Sequence, residues 1–547
     1  MAHPAERILI IGGGTGGTML ANALSPRHFE VTVVTASPQH MFQPALLYVA
    51  FDHAGVGISR NEAQLLRRHV RLVHGAVAEI DLREKRVALA DGQPLGYDRI
   101  VVATGITTDP GQIPGLQQVN ETYGDYHSTP EQARKLRDKF AEFEGGTLVL
   151  GQSSPVCKCP PSPVEGILLA DQLLRRRGIR HRTRLVFFTP YPRAYSAAGM
   201  NEVVEPLLRE RNIEIRTFFD VDRIDPDSRT ITSIEGEEIG YDLPILIPPF
   251  VGADIAYTPA DVLDDDRFVR TDRHTLRIQG ADCAFAIGDA TNLPTSKSGV
   301  GAHLQAQVVA RALSGKPAEF TGRTHCPLDT GDGRGTFVTG TYTAPVVKAA
   351  PSRTKHLMKK TFGRVYWMSL RGRLEPVMRE YFRLTEPPEA AAPARSAPPA
   401  EPDPERRYNQ PVEFRHVVAA SRKRLFAVFD DPERGVAAVG ALGAGDLDST
   451  RETWLLYGEE GLRRLDAAGT GHGVYGHVVR GLQRVMSDDS RYLDALESAL
   501  EDGALVVGLP IADIETADRV AGELQDGSGH TFAYTAHMDF VPTAGEI

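Results

Sequence analysis

Over residues 1–386, short unbroken apolar runs closed by glycine or proline alternate with helix-length amphipathic stretches. The runs are RILIIGGG (7–14), FEVTVVT (29–35), RIVVATG (99–105), GTLVLG (146–151), RLVFFTP (184–190), LPILIPP (243–249) and CAFAIGDA (283–290). Continuous runs of this length predict strands buried on both faces. Helices are predicted from the first glycines to about Leu24 and over 130–143, 164–177 and 201–211. Strands alternating with helices predict parallel sheets in doubly wound layers, an α/β fold.

Residues 387–407, PPEAAAPARSAPPAEPDPERR, interrupt the pattern with seven prolines among 21 residues. Such a stretch cannot bury a core and predicts an extended linker. Beyond it, RLFAVFDDPERGVAAVGAL (424–442) reads as strand, turn and helix, and GALVVGLPIADIETADRVAGEL (503–524) repeats that order. A weak internal duplication of this kind predicts a small ferredoxin-like α+β domain over 408–547. Between the repeats, Gly469, Gly471, Gly473 and His472 form a glycine-rich stretch, read as a plain loop or a ligand contact.

At 547 residues the chain is too long for one core. An apolar share of 41% with 24% charged residues excludes fibrous and wholly disordered classes. The net charge of −10 gives no basic signature for nucleic acid. Four cysteines, Cys157, Cys159, Cys283 and Cys326, are too few for a disulfide scaffold and leave inert thiols or chemistry. MAHPAER reads as carrying no targeting segment, and no apolar run is long enough to span a membrane as a helix, so a cytoplasmic protein is expected.

Gly12-Gly13-Gly14-Thr15-Gly16-Gly17 lies between a strand and a helix and satisfies G-x-G-x-x-G. Gly12 permits the tight turn, Gly14 lets the backbone approach a pyrophosphate, and Gly17 lets the helix pack on the strand. The helix N-terminus offers N–H donors to phosphates. Two further strands end in Ala103-Thr104-Gly105 and Gly288-Asp289-Ala290. Taken in order, the three motifs resemble those of the two-dinucleotide-binding-domain flavoproteins related to disulfide reductases. That resemblance implies two Rossmann-like domains and FAD, with Asp289 on the ribityl chain and Thr104 and Gly105 beside the cofactor. Gly288 belongs to the same motif. An acidic residue normally ends the second strand and takes the ribose hydroxyls; here Thr35 stands there. Thr35 either accepts one hydrogen bond from the ribose or is a plain strand residue.

In that class a second glycine motif receives a nicotinamide cofactor midway along the chain. After Gly151 this chain instead reads Gln152-Ser153-Ser154-Pro155-Val156-Cys157-Lys158-Cys159-Pro160-Pro161. Proline has no N–H, and side chains obstruct a close pyrophosphate, so productive nicotinamide binding is not expected there.

Lys158-Cys159-Pro160 with Pro163 resembles the K-C-x-x-A-P segment of sulfide:quinone oxidoreductases. Cys326-Pro327-Leu328-Asp329-Thr330-Gly331 resembles that family's second cysteine segment. Phe42-Gln43-Pro44 and the run from Gly288 to Lys297 also match. The resemblance covers about residues 5–385, and the family's frequent third cysteine is absent near Tyr126-His127-Ser128. It implies that Cys159 and Cys326 are catalytic, that sulfide or a small thiol opens a sulfur bridge between them, and that two electrons pass through the flavin to a quinone. Lys297 is expected near the flavin pyrimidine. A low thiolate pKa requires nearby cations, and Lys158 adjoins Cys159. Cys283 reads as an inert core thiol; Cys157 as either an auxiliary sulfur carrier or an inert residue. No metal site is expected, because C-x-C lacks a second close Cys/His pair. A type II NADH:quinone dehydrogenase and a non-catalytic flavoprotein or sulfur-relay scaffold are the alternatives.

Residues 352–383 hold nine Arg or Lys against two Glu, a net of +7, interleaved with Phe362, Val365, Tyr366, Trp367, Met368 and Leu370. A basic amphipathic helix with Tyr and Trp can lie in an anionic bilayer interface, on the inner face of the cell membrane; its rival is packing on the protein's own surface. The expected divisions are a flavin domain over 1–115 and 276–350 and a second Rossmann-like domain over 116–275. A basic segment over 351–386, the linker and the accessory domain follow. A homo-oligomer is compatible with all of this.

Overall fold

A computed structural model describes residues 5–51, 57–344, 346, 348–372, 424–442, 453–457, 495–496, 498–511, 514–526, 528–536 and 539–542. The linker 387–407, the glycine-rich stretch 469–473 and residues 373–383 of the basic segment lie outside them. The chain divides into two compact units, 1–390 and 391–547.

The first unit contains two parallel sheets. One runs in the order Ala284–Ala286, Arg99–Val102, Glu6–Ile11, Phe29–Thr35, Arg71–His74. The other runs Ile213–Arg216, Thr183–Phe188, Gly146–Gln152, Leu243–Ile247. Ile8 and Ile10 face one core, with Met19 and Leu20 of helix Thr15–Ala23; Leu9 and Ile11 face another. That two-sided burial is why these strands are continuous apolar runs. Helices fill Pro130–Glu142, Ser162–Arg176 and Ala198–Glu210. The predicted strands 99–105 and 283–290 are shorter, because their motif residues form the turns after them: Gly105 and Gly288 take φ of 74° and 70°.

An antiparallel hairpin, Thr324–Gly331 with Arg334–Gly340, places Cys326 opposite Val338. Helix Arg353–Leu370 follows. Tyr366, Trp367 and Leu370 are buried in the same core as Ile8 and Leu20. Of the two readings of this segment, the rings follow the rival one: they pack into the protein's own core. The exposed side chains of the helix include Arg353, Leu357, Lys360 and Met368. Among the described residues no helix is long and apolar enough to cross a membrane.

In the second unit, five strands form an antiparallel sheet in the order Trp454–Leu456, Leu505–Pro510, Arg424–Phe429, His530–Ala536, Asp539–Pro542. Helices Pro432–Gly440 and Ile514–Asp526 follow the first strand of each repeat.

Candidate functional site

A cavity of about 800 Å³ opens against the C-terminal ends of the first parallel sheet. Its lining comes from the glycine loop, the 103–106 turn, the 287–289 turn, the cysteine turn and the hairpin. The crevice beyond strand ends is where doubly wound sheets take ligands.

The glycine loop is shaped by close approach. Gly12 has φ of 113°, and a Cβ there would meet the Ala103 carbonyl oxygen at 2.2 Å. A Cβ on Gly17 would meet the Gly12 oxygen at 2.0 Å, so this glycine seats the helix on the strand rather than lining the cavity. A Cβ on Gly14 would meet no protein atom within 4 Å. That open cradle beside a helix N-terminus suits a pyrophosphate. Thr35 lines the cavity and donates its hydroxyl proton to the Ser37 carbonyl at 3.1 Å, which leaves its lone pairs as acceptors. Pro44, Thr104, Gly105, Gly288, Asp289 and Lys297 also line the cavity. Burial pushes the Asp289 carboxyl up, against the opposing pull of Lys297 and Lys158. Lys297 donates to the Asp289 and Thr291 carbonyls at 3.0 and 2.7 Å, and its ammonium lies 3.7 Å from the Phe268 ring centroid. Burial lowers it to about 8.

Cys159 and Cys326 both line this cavity. Cys159 sits in the left-handed region at φ 61° and donates its N–H to the Lys297 carbonyl at 2.8 Å. A non-glycine residue held there is a strained position that its surroundings must enforce. Cys326 Sγ lies 3.2 Å from Ser296 Oγ. Burial, then the other thiol, pushes the Cys159 thiol well up; burial also raises Cys326, opposed by Ser296 and Ser298. The expectation of nearby cations lowering both thiols is therefore corrected. The Lys158 ammonium lies 3.2 Å from Gln43 Oε1 and 3.5 Å from the His127 carbonyl oxygen. Lys359 favours the Cys159 thiolate, and the Cys159 thiolate in turn raises the pKa of Lys158 against the burial that lowers it.

Lys359 comes from helix Arg353–Leu370 and forms a buried ion pair with Glu165 of helix Ser162–Arg176. Its ammonium also lies 5.5 Å from the Tyr48 ring centroid. Burial pushes the Glu165 carboxyl up to about 7 even with this partner. His127 adds a neutral imidazole, 3.0 Å from Ser162 Oγ and held well below its ordinary pKa by burial. Sequence reasoning missed Glu165, Lys359 and His127. The one available signal was a Glu among the apolar residues of a predicted helix beside a reactive cysteine.

Cys157 is buried, outside the cavity lining, and burial raises its thiol to about 12. Cys283 is half-buried at the start of its strand rather than in the core, and it too is outside the lining. At the second sheet, a Cβ on Gly151 would meet the Phe188 ring at 2.5 Å, and Tyr191 donates to the Pro155 carbonyl at 2.6 Å. A side chain, not open space, thus lies against the glycine where a nicotinamide loop would begin.

Residues 6–157 match the model of the pyridine nucleotide-disulphide oxidoreductase family. The chain is 27% identical over 392 residues to the mitochondrial sulfide:quinone oxidoreductase of Mus musculus, covering 67% of this chain and 86% of that protein. It is 24% identical over 416 residues to the sulfide-quinone reductase of Aquifex aeolicus, covering 69% and 94%. A shorter likeness, 36% over 106 residues, covers 18% of this chain and 23% of a type II NADH:quinone oxidoreductase of Mycobacterium tuberculosis. The solved structure of the Aquifex aeolicus sulfide:quinone oxidoreductase superposes with a TM-score of 0.60 at 22% identity, over 70% of this chain and 95% of that one. With this fold and this cavity, the chain is similar to sulfide:quinone oxidoreductases and is an oxidoreductase whose cofactor is FAD.

Proposed function

We propose that this enzyme oxidises sulfide, or a related small thiol, at Cys159 and Cys326 and passes the electrons through FAD to a quinone. The observation that carries the proposal is that both cysteines, distant in sequence, line the one cavity that also holds the dinucleotide loop. Bound FAD supplies acceptance of two electrons and their later release. In this reading Gly12, Gly14 and Gly17 shape the pyrophosphate loop, and Thr35 accepts from the ribose. Asp289, Gly288, Thr104, Gly105, Pro44 and Lys297 border the rest of the cofactor. The sulfur of sulfide attacks one sulfur of a bridge between Cys159 and Cys326, forming a persulfide on one cysteine and freeing the other as a thiolate. Lys359 stabilises that thiolate. Glu165, whose carboxyl burial raises to about 7, can take the proton that sulfide releases. Once the bridge is open, burial favours the protonated form of each thiol, and Lys359 opposes it.

The short likeness to a type II NADH:quinone oxidoreductase favours a second reading, NADH as donor. Phe188 against Gly151 and the prolines of the cysteine turn argue against it. Anaerobic addition of sulfide and of NADH separates the two readings, because only the true donor bleaches the flavin. The exposed cations, Leu357 and Met368 of helix Arg353–Leu370 support peripheral contact with an anionic membrane that holds the quinone. In the second unit the antiparallel order, with the fourth strand beside the first and the third between first and second, supports a ferredoxin-like accessory domain.

A further inference from the structure

A buried chain of hydrogen bonds runs from beneath the glycine loop back to Thr15 of the same loop. Thr18 Oγ1 donates to Glu62 Oε1 at 2.5 Å, and Glu62 Oε2 lies 2.8 Å from His40 Nδ1. His40 Nε2 lies 2.7 Å from the Tyr366 hydroxyl, which lies 2.7 Å from Thr15 Oγ1. Thr18, His40, Glu62 and Tyr366 are all buried, whereas Thr15 is half-buried and lines the cavity. Nothing in the electron-transfer reading uses this chain.

Counting protons shows what it can do. Each hydroxyl has a single proton. Thr18 spends its own on Glu62, and with Glu62 ionised, His40 Nδ1–H donates to the other carboxylate oxygen. If His40 Nε2 is bare, it accepts from Tyr366, and Tyr366 in turn accepts from Thr15. The Thr15 proton then points away from the cavity. If Nε2 carries a proton, every bond reverses: His40 donates to Tyr366, Tyr366 donates to Thr15, and the Thr15 proton is free for an acceptor in the cavity. The second arrangement holds one more proton and one more positive charge. An anion beside Thr15 stabilises it as acceptor and as counter-charge. Thr15 is also the first residue of helix Thr15–Ala23, whose N–H groups already favour phosphate.

We propose that His40 and Tyr366 are positioning residues for FAD, aiming the Thr15 hydroxyl at the pyrophosphate. The charged and titratable groups facing His40 are Glu62, Tyr366 and Arg60. Arg60 is its register partner on the neighbouring strand and places its guanidinium 4.8 Å from the Trp367 ring centroid. Trp367 itself meets the imidazole edge-on. Glu62 is in direct contact with the imidazole. The inference rests on FAD as cofactor and on no choice of electron donor or acceptor.

The test titrates apo-protein with FAD, following quenching of flavin fluorescence, with no electron donor present. Tyr366→Phe keeps the ring packing but should bind about tenfold more weakly than the parent. Thr15→Ala should do the same, and Thr15→Ser should restore the parent's affinity. The double variant should bind no more weakly than Thr15→Ala, and one phosphorus resonance of bound FAD should move alike in both single variants. Parent-like affinity in Tyr366→Phe would overturn the proposal. So would additive losses in the double variant, the mark of two independent packing defects. Should Tyr366→Phe fail to fold, the Thr15 pair decides: parent-like affinity in the Ser variant with a loss in the Ala variant supports the proposal, and equal affinities overturn it.

Discussion

The backbone N–H of Cys159 donates to the carbonyl of Lys297 at 2.8 Å. That bond fastens the cysteine turn to the segment after the Gly288-Asp289-Ala290 turn, and the Lys297 ammonium is itself tied to the Asp289 and Thr291 carbonyls. Cysteine and cofactor motifs therefore share one rigid wall. Catalytic geometry of this kind works when reacting groups are held rather than found by diffusion.

The first prediction concerns the two cysteines. Cys159→Ser and Cys326→Ser should each lower sulfide-driven flavin reduction by orders of magnitude, because a serine hydroxyl stays protonated and forms no persulfide. FAD content should be unchanged. Cys157→Ser and Cys283→Ser should retain activity, since neither thiol lines the cavity. Stopped-flow absorbance of the four variants checks this; rapid bleaching in both Cys159 and Cys326 variants would remove the pair from the mechanism.

Glu165→Gln should destabilise the folded protein by about 3 kcal/mol, because it strands the buried Lys359 charge. The double variant Glu165→Leu with Lys359→Met should recover most of that loss, as an apolar pair needs no partner. Denaturant unfolding of the flavin-loaded proteins measures both. A Glu165→Gln protein as stable as its parent would mean that the two side chains are not ionised in the folded state.

Acid stability should depend on His303 and His325. Burial lowers both imidazoles to about 4 from an ordinary 6.5. Between those values the unfolded chain binds more protons than the folded one, so stability is full above pH 6.5 and is lost as pH falls toward 4. Each histidine contributes a slope of up to about 1.4 kcal/mol per pH unit. Replacing His325 by Gln should flatten the loss in that window; an unchanged slope would place its proton elsewhere.

Limited proteolysis should cut within 387–407 first and leave a flavin-containing fragment. The proline content of that stretch motivates the cut, and the cavity lining comes wholly from the first unit. Loss of FAD on cleavage would mean that the second unit completes the site.

Much of this site was legible before the fold was seen, for a physical reason. Gly12 and Gly17 are dictated by backbone approaches of 2.2 and 2.0 Å to a would-be Cβ, and such local constraints leave a local signature. Cys326 was found by likeness alone, since a hairpin from the far end of the domain carries it to Cys159. Glu165 and Lys359 were missed because a buried ion pair between two helices has no spacing rule. Tyr366 and Trp367 were read as a membrane anchor or as packing on the protein's own surface, because cations interleave with them in sequence. The fold turns the rings into the core, leaves Arg353 and Lys360 exposed and pairs Lys359 with Glu165. Cys283 was read as a core thiol from the apolar run that follows it, yet burial begins one residue later, at Ala284.

Anaerobic titration of the oxidised flavin tests the central claim most directly. Sulfide should bleach the flavin absorption within the mixing time of turnover, quinone should restore it, and NADH at the same concentration should leave it oxidised. Rapid bleaching by NADH, with sulfide inert, would contradict the account and make this protein a nicotinamide-dependent dehydrogenase.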